Sequence, residues 1–313
     1  MSFQSASLRQ DMQATLTFII PVISKEVTDR WDLVYANLKK TLASVENQTN
    51  SNWRVLIVSQ TKPDVEYIED KIIYVPAGFK PARKCPTNIK LSARETALYR
   101  RVNDLDRMRK IRVAAAALHK YRTDFVMVLE ADDFVSNRLC EFVAANKEAN
   151  GWSIEQGYIW NGKSNYMHRT NRLTAVCGSS SIVKVFYELL PKEMPIDVDP
   201  TTLNLFSSGC PFLDHVHSEM RESMAQAGQP IQMLPFRGAI YHKGHGLNLS
   251  VQYSDEDLPL PPKPIVRIRR WSSNFFLYRR RGKNRAYLTE SIKSEFAICI
   301  DSNKTSETES RPC

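Results

Sequence analysis

The sequence predicts an α/β fold, a central and mainly parallel sheet flanked by helices, and three observations predict it. Short, continuously apolar runs recur at residues 16–23, 53–59, 72–75 and 125–130. Runs of this length and composition fit strands that are covered on both faces, as in parallel sheets. A stripe of apolar residues at helical spacing separates the first two runs, and another leads into the fourth. Strand–helix–strand alternation of this kind implies right-handed crossovers within one sheet.

The elements follow in order. Residues 1–13 are polar, lack the apolar core of a secretory leader, and read as a flexible N-terminus. The first helix places Trp31, Tyr35, Leu38, Leu42 and Val45 on one face, with Thr28 or Asp29 as its cap. The second helix, over 104–121, aligns Met108, Ile111, Ala115 and Leu118. Beyond Asp133 a helix is expected over 137–149, followed by an irregular stretch rich in Gly, Asn and Ser. A further helix over 213–227 ends at Gly228, which suits a C-cap. Short strands are expected at 231–234 and 239–242. Residues 258–264 are Pro-rich and read as a linker, and the polar stretch 301–313 reads as a disordered tail. No internal repeat is present.

Composition excludes several classes. The 313 residues suffice for one large α/β domain with elaborations or for two small domains, and none of their apolar runs reaches the roughly 18 residues that a membrane span needs. The six cysteines stand singly with no CxxC pair, which argues against a zinc or redox motif and for free thiols in a reducing cytosol. The net charge of +9 has a local origin: nine Lys and Arg and no acid lie between Lys263 and Arg285. The rest of the chain balances, so no specific nucleic-acid partner is expected.

Chemistry is expected where the fourth apolar run ends, because ligands of open α/β sheets bind beyond the carboxyl ends of the strands. That run ends in Glu130-Ala131-Asp132-Asp133. Three carboxylates within four residues repel one another unless something offsets the charge. Carboxylate oxygens suit Mg²⁺ or Mn²⁺, which in turn suit phosphate oxygens. The plainer alternative is that Asp132 or Asp133 caps the helix starting near Ser136.

An early strand ending Ile-Ile-Pro, a helix, the strand Arg54-Val55-Leu56-Ile57-Val58 and a strand running into acid-x-Asp-Asp together resemble the family-2-type glycosyltransferases of the GT-A fold. The likeness covers about residues 16–250 and is strongest at 125–137 and at the His-Gly-Leu-Asn-Leu-Ser run that begins at His245. It implies a GT-A-like (Rossmann-like) catalytic domain over 14–257, with a donor half over 14–135 and an acceptor half over 136–257. A Pro-rich linker and basic aromatic segment over 258–300 follow.

Position by position, the resemblance implies that Pro21, Val22 and Ile23 lie under the nucleotide base. Gln60 stands near the place where the family usually has an Asp that contacts the base. Glu130 replaces the usual first Asp and faces the ribose, while Asp132 is the metal ligand and Asp133, beyond Ala131 and Asp132, stands behind it. His245 is a second metal ligand, with His242 as its competitor. Asp106, Lys110 and Arg112 lie near the nucleotide, whereas a solvated basic face is the equal alternative for the stretch that carries Arg100, Arg101, Arg107, Arg109, Lys110 and Arg112. Asp214, followed by His215 and His217, takes the place of the base that accepts the acceptor proton, which implies inversion; a first-turn acid on the helix dipole is the alternative. Cys177, Gly178 and Ser179 are expected at the acceptor.

The expected activity is transfer of a sugar from a nucleotide-diphosphate donor, UDP-sugar favoured, to a glycan or lipid-linked hydroxyl, with Mn²⁺ or Mg²⁺ as cofactor. On a helix, Ile268, Trp271, Phe275 and Tyr278 share a face edged by arginines, a pattern suited to an anionic membrane surface. A cytoplasmic protein, peripheral on the inner face of the membrane, is therefore expected; a helix packed on the core is the alternative. Three rivals remain: a nucleotidyltransferase, disfavoured because Pro21-Val22-Ile23-Ser24-Lys25 lacks a Gly-rich phosphate loop; a domain that binds nucleotide sugar without reacting; and a non-enzymatic basic membrane-binding protein.

Overall fold

The computed structural model describes residues 14–81, 92–192, 210–214, 217–243 and 284–299. The chain begins with strand β1 (Ala14–Pro21), helix α1 (Trp31–Glu46) and strands β2 (Trp53–Ser59) and β3 (Ile72–Pro76). Helix α2 (Ala93–Ala117) leads into β4 (Thr123–Val128), after which come β5 (Phe134–Val135) and α3 (Leu139–Ala145). Strands β6 (Gly151–Ser153), β7 (Gly157–Trp160), β8 (Tyr166–Thr170) and β9 (Ser181–Lys184) follow. Helices α4 (Pro211–Asp214) and α5 (Met220–Gln226) precede β10 (Gln232–Met233) and β11 (Ala239–His242). Strand β12 (Arg285–Tyr287) and helix α6 (Glu290–Phe296) complete the described elements.

The main sheet has the order β10-β6-β9-β4-β1-β2-β3, with β3, β2, β1 and β4 parallel and β9 antiparallel to β4. It is the mainly parallel, helix-flanked sheet of the Rossmann-like α/β class that the sequence predicts. Side chains of the parallel strands alternate between two cores. Phe18, Ile20, Val55, Ile57, Phe125 and Met127 meet Val34, Leu38, Leu42 and Val45 of α1. Ile19, Leu56, Val58 and Val126 meet Ile111, Ala114, Ala115 and Leu118 of α2 on the opposite face. Both faces are therefore apolar, which explains the unbroken hydrophobic runs. The chain winds outward from β1 to β3 and then returns to the other side of β1 as β4. That reversal makes the carboxyl ends of β1 and β4 a topological switch point, where such sheets bind ligands.

A second sheet, β12-β8-β7-β11-β5, lies beyond β4 in sequence. Its apolar face gathers Phe134, Tyr158, Trp160, Met167 and Ile240. Residues 284–299 belong to this layer: β12 pairs with β8, and Phe296 of α6 is fully buried, its ring edge-on to Tyr158 at 5.9 Å. Glu295 accepts from Ser136 Oγ (2.6 Å) and Arg138 Nε (3.1 Å), which ties α6 to the chain just past β5.

Some expected bounds differ. Helix α2 begins eleven residues before the expected position because Ser92 and Glu95 form a reciprocal capping box, Ser92 N to Glu95 Oε2 at 2.8 Å and Glu95 N to Ser92 Oγ at 3.3 Å. Helix α1 starts after Arg30 with no side-chain cap, rather than after Thr28 or Asp29. The single helix expected over 213–227 is two, α4 and α5, with a turn at 217–219; Gly228 takes a positive φ of 74° directly after α5, as a C-cap glycine does. The stretch expected to be irregular carries β6 to β9. Among the described residues no helix is long and apolar enough to cross a membrane.

Candidate functional site

The carboxylate cluster stands at the switch point. Leu129 N donates to Ile19 O (2.8 Å), so the chain stays in register with β1 for one residue past β4. It then turns: Asp133 N donates to Glu130 O (3.2 Å), closing a four-residue turn whose third residue is Asp132. Asp132 is half-buried, whereas Asp133 is 1% exposed.

Asp133 anchors this turn. Its Oδ2 accepts from Ser179 Oγ (2.7 Å) and Cys177 Sγ (3.2 Å), and its Oδ1 from His242 N (3.0 Å). Burial, then the neighbouring Asp132, push its carboxyl well above the usual range, and the three donors oppose that shift. The Cys177 thiol is likewise pushed well up, by burial and then by Asp133. Ser179 also accepts from Glu130 N (2.9 Å), so one hydroxyl joins both ends of the turn. Neither Asp132 nor Asp133 caps α3, which starts at Leu139 after Arg138. The side chains of Cys177 and Ser179 are buried and face Asp133, a different task from the acceptor contact expected of them.

Glu130 is half-buried and forms a salt bridge with Arg107 of α2, whose Nε lies 2.7 Å from Oε1. Gly178 makes room for this pair: a Cβ there would stand 2.3 Å from Glu130 Oε1 and 2.9 Å from Arg107 Nη2. Half-buried His217, in the turn before α5, senses both partners. Burial, then the positive charge of Arg107, hold its imidazole below the ordinary value, and Glu130 opposes. Arg107, Glu130 and His217 thus converge, although the sequence pattern marks Arg107 only as one arginine on a basic helix.

A second cluster lies beyond β2. Gln60 Nε2 donates to Asp106 Oδ1 (3.0 Å), and Lys110 Nζ closes on Asp106 Oδ2. Lys110 is 1% exposed; burial lowers its pKa and Asp106 opposes. The loops after β1 and β2 are joined by Ser24 Oγ and Thr61 Oγ1 at 3.0 Å. Pro21 ends β1, Val22 is fully buried with its N bonded to Val58 O (2.9 Å), and Ile23 is half-buried against the core of α1. The structure therefore brings Gln60, Asp106 and Lys110 together at the carboxyl edge of the sheet.

The remaining expectations are less complete. Asp214 ends α4, which Arg112 Nη2 ties to α2 through Leu213 O (3.2 Å); the Asp214 side chain lies outside the described residues. His245 also lies outside them, as do the expected linker and the amphipathic face from Ile268 to Tyr278. His242, its competitor, is 5% exposed and stacks on Trp160 (5.6 Å between centroids) beside Phe134. Gly162, at a φ of 72°, lets His242 Nε2 approach to 2.4 Å of where a Cβ would be. His242 serves the second sheet's core and, through its backbone, Asp133.

No known family and no curated protein matches the sequence. Among the solved structures that share part of its chain trace are two of one protein. One is S. aureus TarS 1-349, 12% identical, with a TM-score of 0.34, covering 73% of this chain and 60% of that one. The other is S. aureus TarS, 12% identical, with a TM-score of 0.36, covering 73% of this chain and 37% of that one. The chain thus spans less than two thirds of either, and a likeness at that level says nothing of the site residues.

Proposed function

We propose that this chain is a metal-assisted glycosyltransferase that moves a sugar from a nucleotide-diphosphate donor, UDP-sugar favoured, to a hydroxyl of a glycan or lipid-linked acceptor, with inversion. The observation that carries the reading is the place of Asp132. It occupies the third position of a hydrogen-bonded turn at the switch point, directly past the buried strand β4.

The donor set suits Mn²⁺ or Mg²⁺ shared with a diphosphate. Among the described residues no group of three or more His, Cys, Asp or Glu could form a protein-only metal cage. Small divalent cations do not need one, since one or two carboxylates together with substrate phosphates and water complete their shell. Asp132 would hold the ion, with His245 as second ligand, and the bound ion would offset the charge that develops on the departing diphosphate. Pro21, Val22, Ile23 and Gln60 would receive the base, Glu130 the ribose, and Asp106 and Lys110 would fix Gln60. Asp214 would accept the proton of the acceptor hydroxyl, attack would be direct, and the anomeric centre would invert. The basic stretch from Lys263 to Arg285 would rest on an anionic membrane surface and place the protein at the inner face of a membrane.

The test is nucleoside-diphosphate release from a panel of UDP-, GDP-, CDP- and ADP-sugars with Mn²⁺. Release from one donor class, lost on chelation and in Asp132→Ala, supports the reading. Release that survives both removes the metal and Asp132 from it.

A further inference from the structure

The second sheet gathers positive charge that its own strands do not offset. Residues 161–172, which hold β8, and 284–289, which hold β12, include Lys163, Arg169, Arg172 and Arg285, all exposed, and no Asp or Glu. None of these four cations pairs with a carboxylate of the described residues. Carbonyls and rings place the guanidiniums instead. Arg169 Nη1 donates to Arg285 O (3.0 Å), and the Arg285 guanidinium lies over the Tyr166 ring, 4.6 Å from its centroid. Arg237 donates to Thr170 O (2.8 Å) and Gly157 O (3.0 Å) just past Arg169. It is near enough for the two charges to oppose each other: burial lowers the Arg237 pKa, Tyr158 raises it, and Arg169 lowers it again. Like charges assembled without a counter-charge create a positive field that draws anions, and guanidiniums pair with carboxylate or phosphate in particular.

Aromatic rings stand among these charges. Arg285 pairs in register with His168, and Tyr287 with Tyr166, so the four side chains share the face opposite buried Met167 and Ala286. The Tyr166 and His168 rings meet edge-on at 5.6 Å, and Tyr287 is 66% exposed. A tyrosine offers an apolar ring face with a polar tip, which suits a ligand that is itself partly apolar and partly wet. Sugar rings have that character, with C–H faces and hydroxyl rims. A membrane-binding surface instead separates its apolar face from its charged one. Here the two are interleaved.

The position links this face to the carboxylate turn. Strands β11, β7, β8 and β12 are successive neighbours, and the last residue of β11, His242, donates its amide to Asp133. Three strand spacings, about 14 Å, separate β11 from β12. A chain of a few sugars spans such a distance. Resting on the sugar-transfer reading, we propose that the β8–β12 face holds the acceptor, and that the acceptor is an acidic glycan whose anionic groups meet Arg169, Arg172 and Arg285 while a sugar ring stacks on Tyr287.

The experiment is calorimetric titration of oligogalacturonate, a sugar chain with a carboxylate on every unit, and of its uncharged methyl ester. The proteins are wild type, the double variant Arg169→Ala/Arg172→Ala, and Tyr287→Ala. Wild type should bind the acid at least tenfold more tightly than the ester, and each variant should lose at least tenfold for the acid. No binding of the acid, equal affinity for acid and ester, or undiminished binding by the variants overturns the proposal. An oligothymidylate or phosphatidylglycerol vesicles whose binding falls by the same factor in both variants also overturns it, because the surface would then read charge alone. Mn²⁺-dependent binding of UDP or GDP is measured on the same samples. Nucleotide binding kept by all three proteins shows that the variants are folded and leaves the sugar-transfer reading standing whatever the glycan does. Absence of nucleotide binding in wild type overturns that reading and the acceptor assignment with it.

Discussion

Arg107 closes on Glu130 directly beside Gly178, its Nε 2.7 Å from Oε1, at a point where a single added carbon would stand 2.3 Å from that same oxygen. The pair joins α2 to the chain leaving β4, so the first carboxylate of the cluster is neutralised by the helix.

Gly178→Ala should break this arrangement without unfolding the chain. The clash falls on the ends of two side chains, so one of them must swing away, at a cost of about 1–3 kcal/mol for local overpacking. Urea unfolding should register that modest loss, and titration should show at least tenfold weaker nucleotide binding, about 1.4 kcal/mol. Undiminished nucleotide affinity in a folded Gly178→Ala protein would separate Glu130 and Arg107 from the donor site.

Ser179→Ala removes a hydroxyl that accepts from Glu130 N and donates to Asp133 Oδ2. It leaves a buried carboxylate one donor short and an amide one acceptor short, each worth about 1–3 kcal/mol. Chemical denaturation should show a stability loss in that range. Metal-dependent nucleotide affinity should fall with it, because the turn that presents Asp132 loses its brace.

Phe296→Ala should destabilise the protein by about 3–5 kcal/mol, the range for emptying a fully buried aromatic site. Differential scanning calorimetry would show one transition at lower temperature if residues 284–299 unfold together with the two sheets. An unchanged main transition would mean that this segment is dispensable to the core.

His217 gives a pH dependence whose sign is fixed by its environment. Burial and Arg107 lower its pKa, so the unfolded chain binds more protons than the folded one below about pH 6.5, the ordinary histidine value. The stability linked to His217 is complete above that pH and is lost as pH falls through the lower, folded value. His217→Gln should flatten the acid side of the stability–pH curve by one titrating group. A curve of unchanged slope would place the imidazole in water, away from Arg107.

Much of the fold was legible because its core strands are sandwiched between helices. Strands such as Trp53–Ser59 are buried along their whole length and leave an unbroken apolar run, so position and type could both be read. Strands β5 to β9 have two to five residues each, and β7 and β8 find partners in β11 and β12, tens of residues away. No local pattern marks such pairings. The start of α2 leaves no apolar stripe for a related reason: its first turns carry charge, and their signal is the Ser92–Glu95 capping box.

The site divides along the same line. The acidic turn was visible because it follows a buried strand, and Gln60, Asp106 and Lys110 do meet. The bond between Arg107 and Glu130 was hidden because an arginine on a basic helix reads as solvated. The roles of Cys177 and Ser179 were hidden because small polar residues carry no sign of whether they face a ligand or a buried carboxylate. Their spacing of one residue, which turns both toward Asp133, was the only hint.

The most direct measurement is calorimetric titration of UDP and GDP, with and without Mn²⁺, into wild type and Asp132→Ala. One nucleotide should bind wild type only when the metal is present, and Asp132→Ala, still folded because Asp133 keeps its three donors, should not bind it. Equal binding by both proteins, or binding indifferent to the metal, would contradict the assignment of Asp132 as the residue that brings cation and diphosphate together.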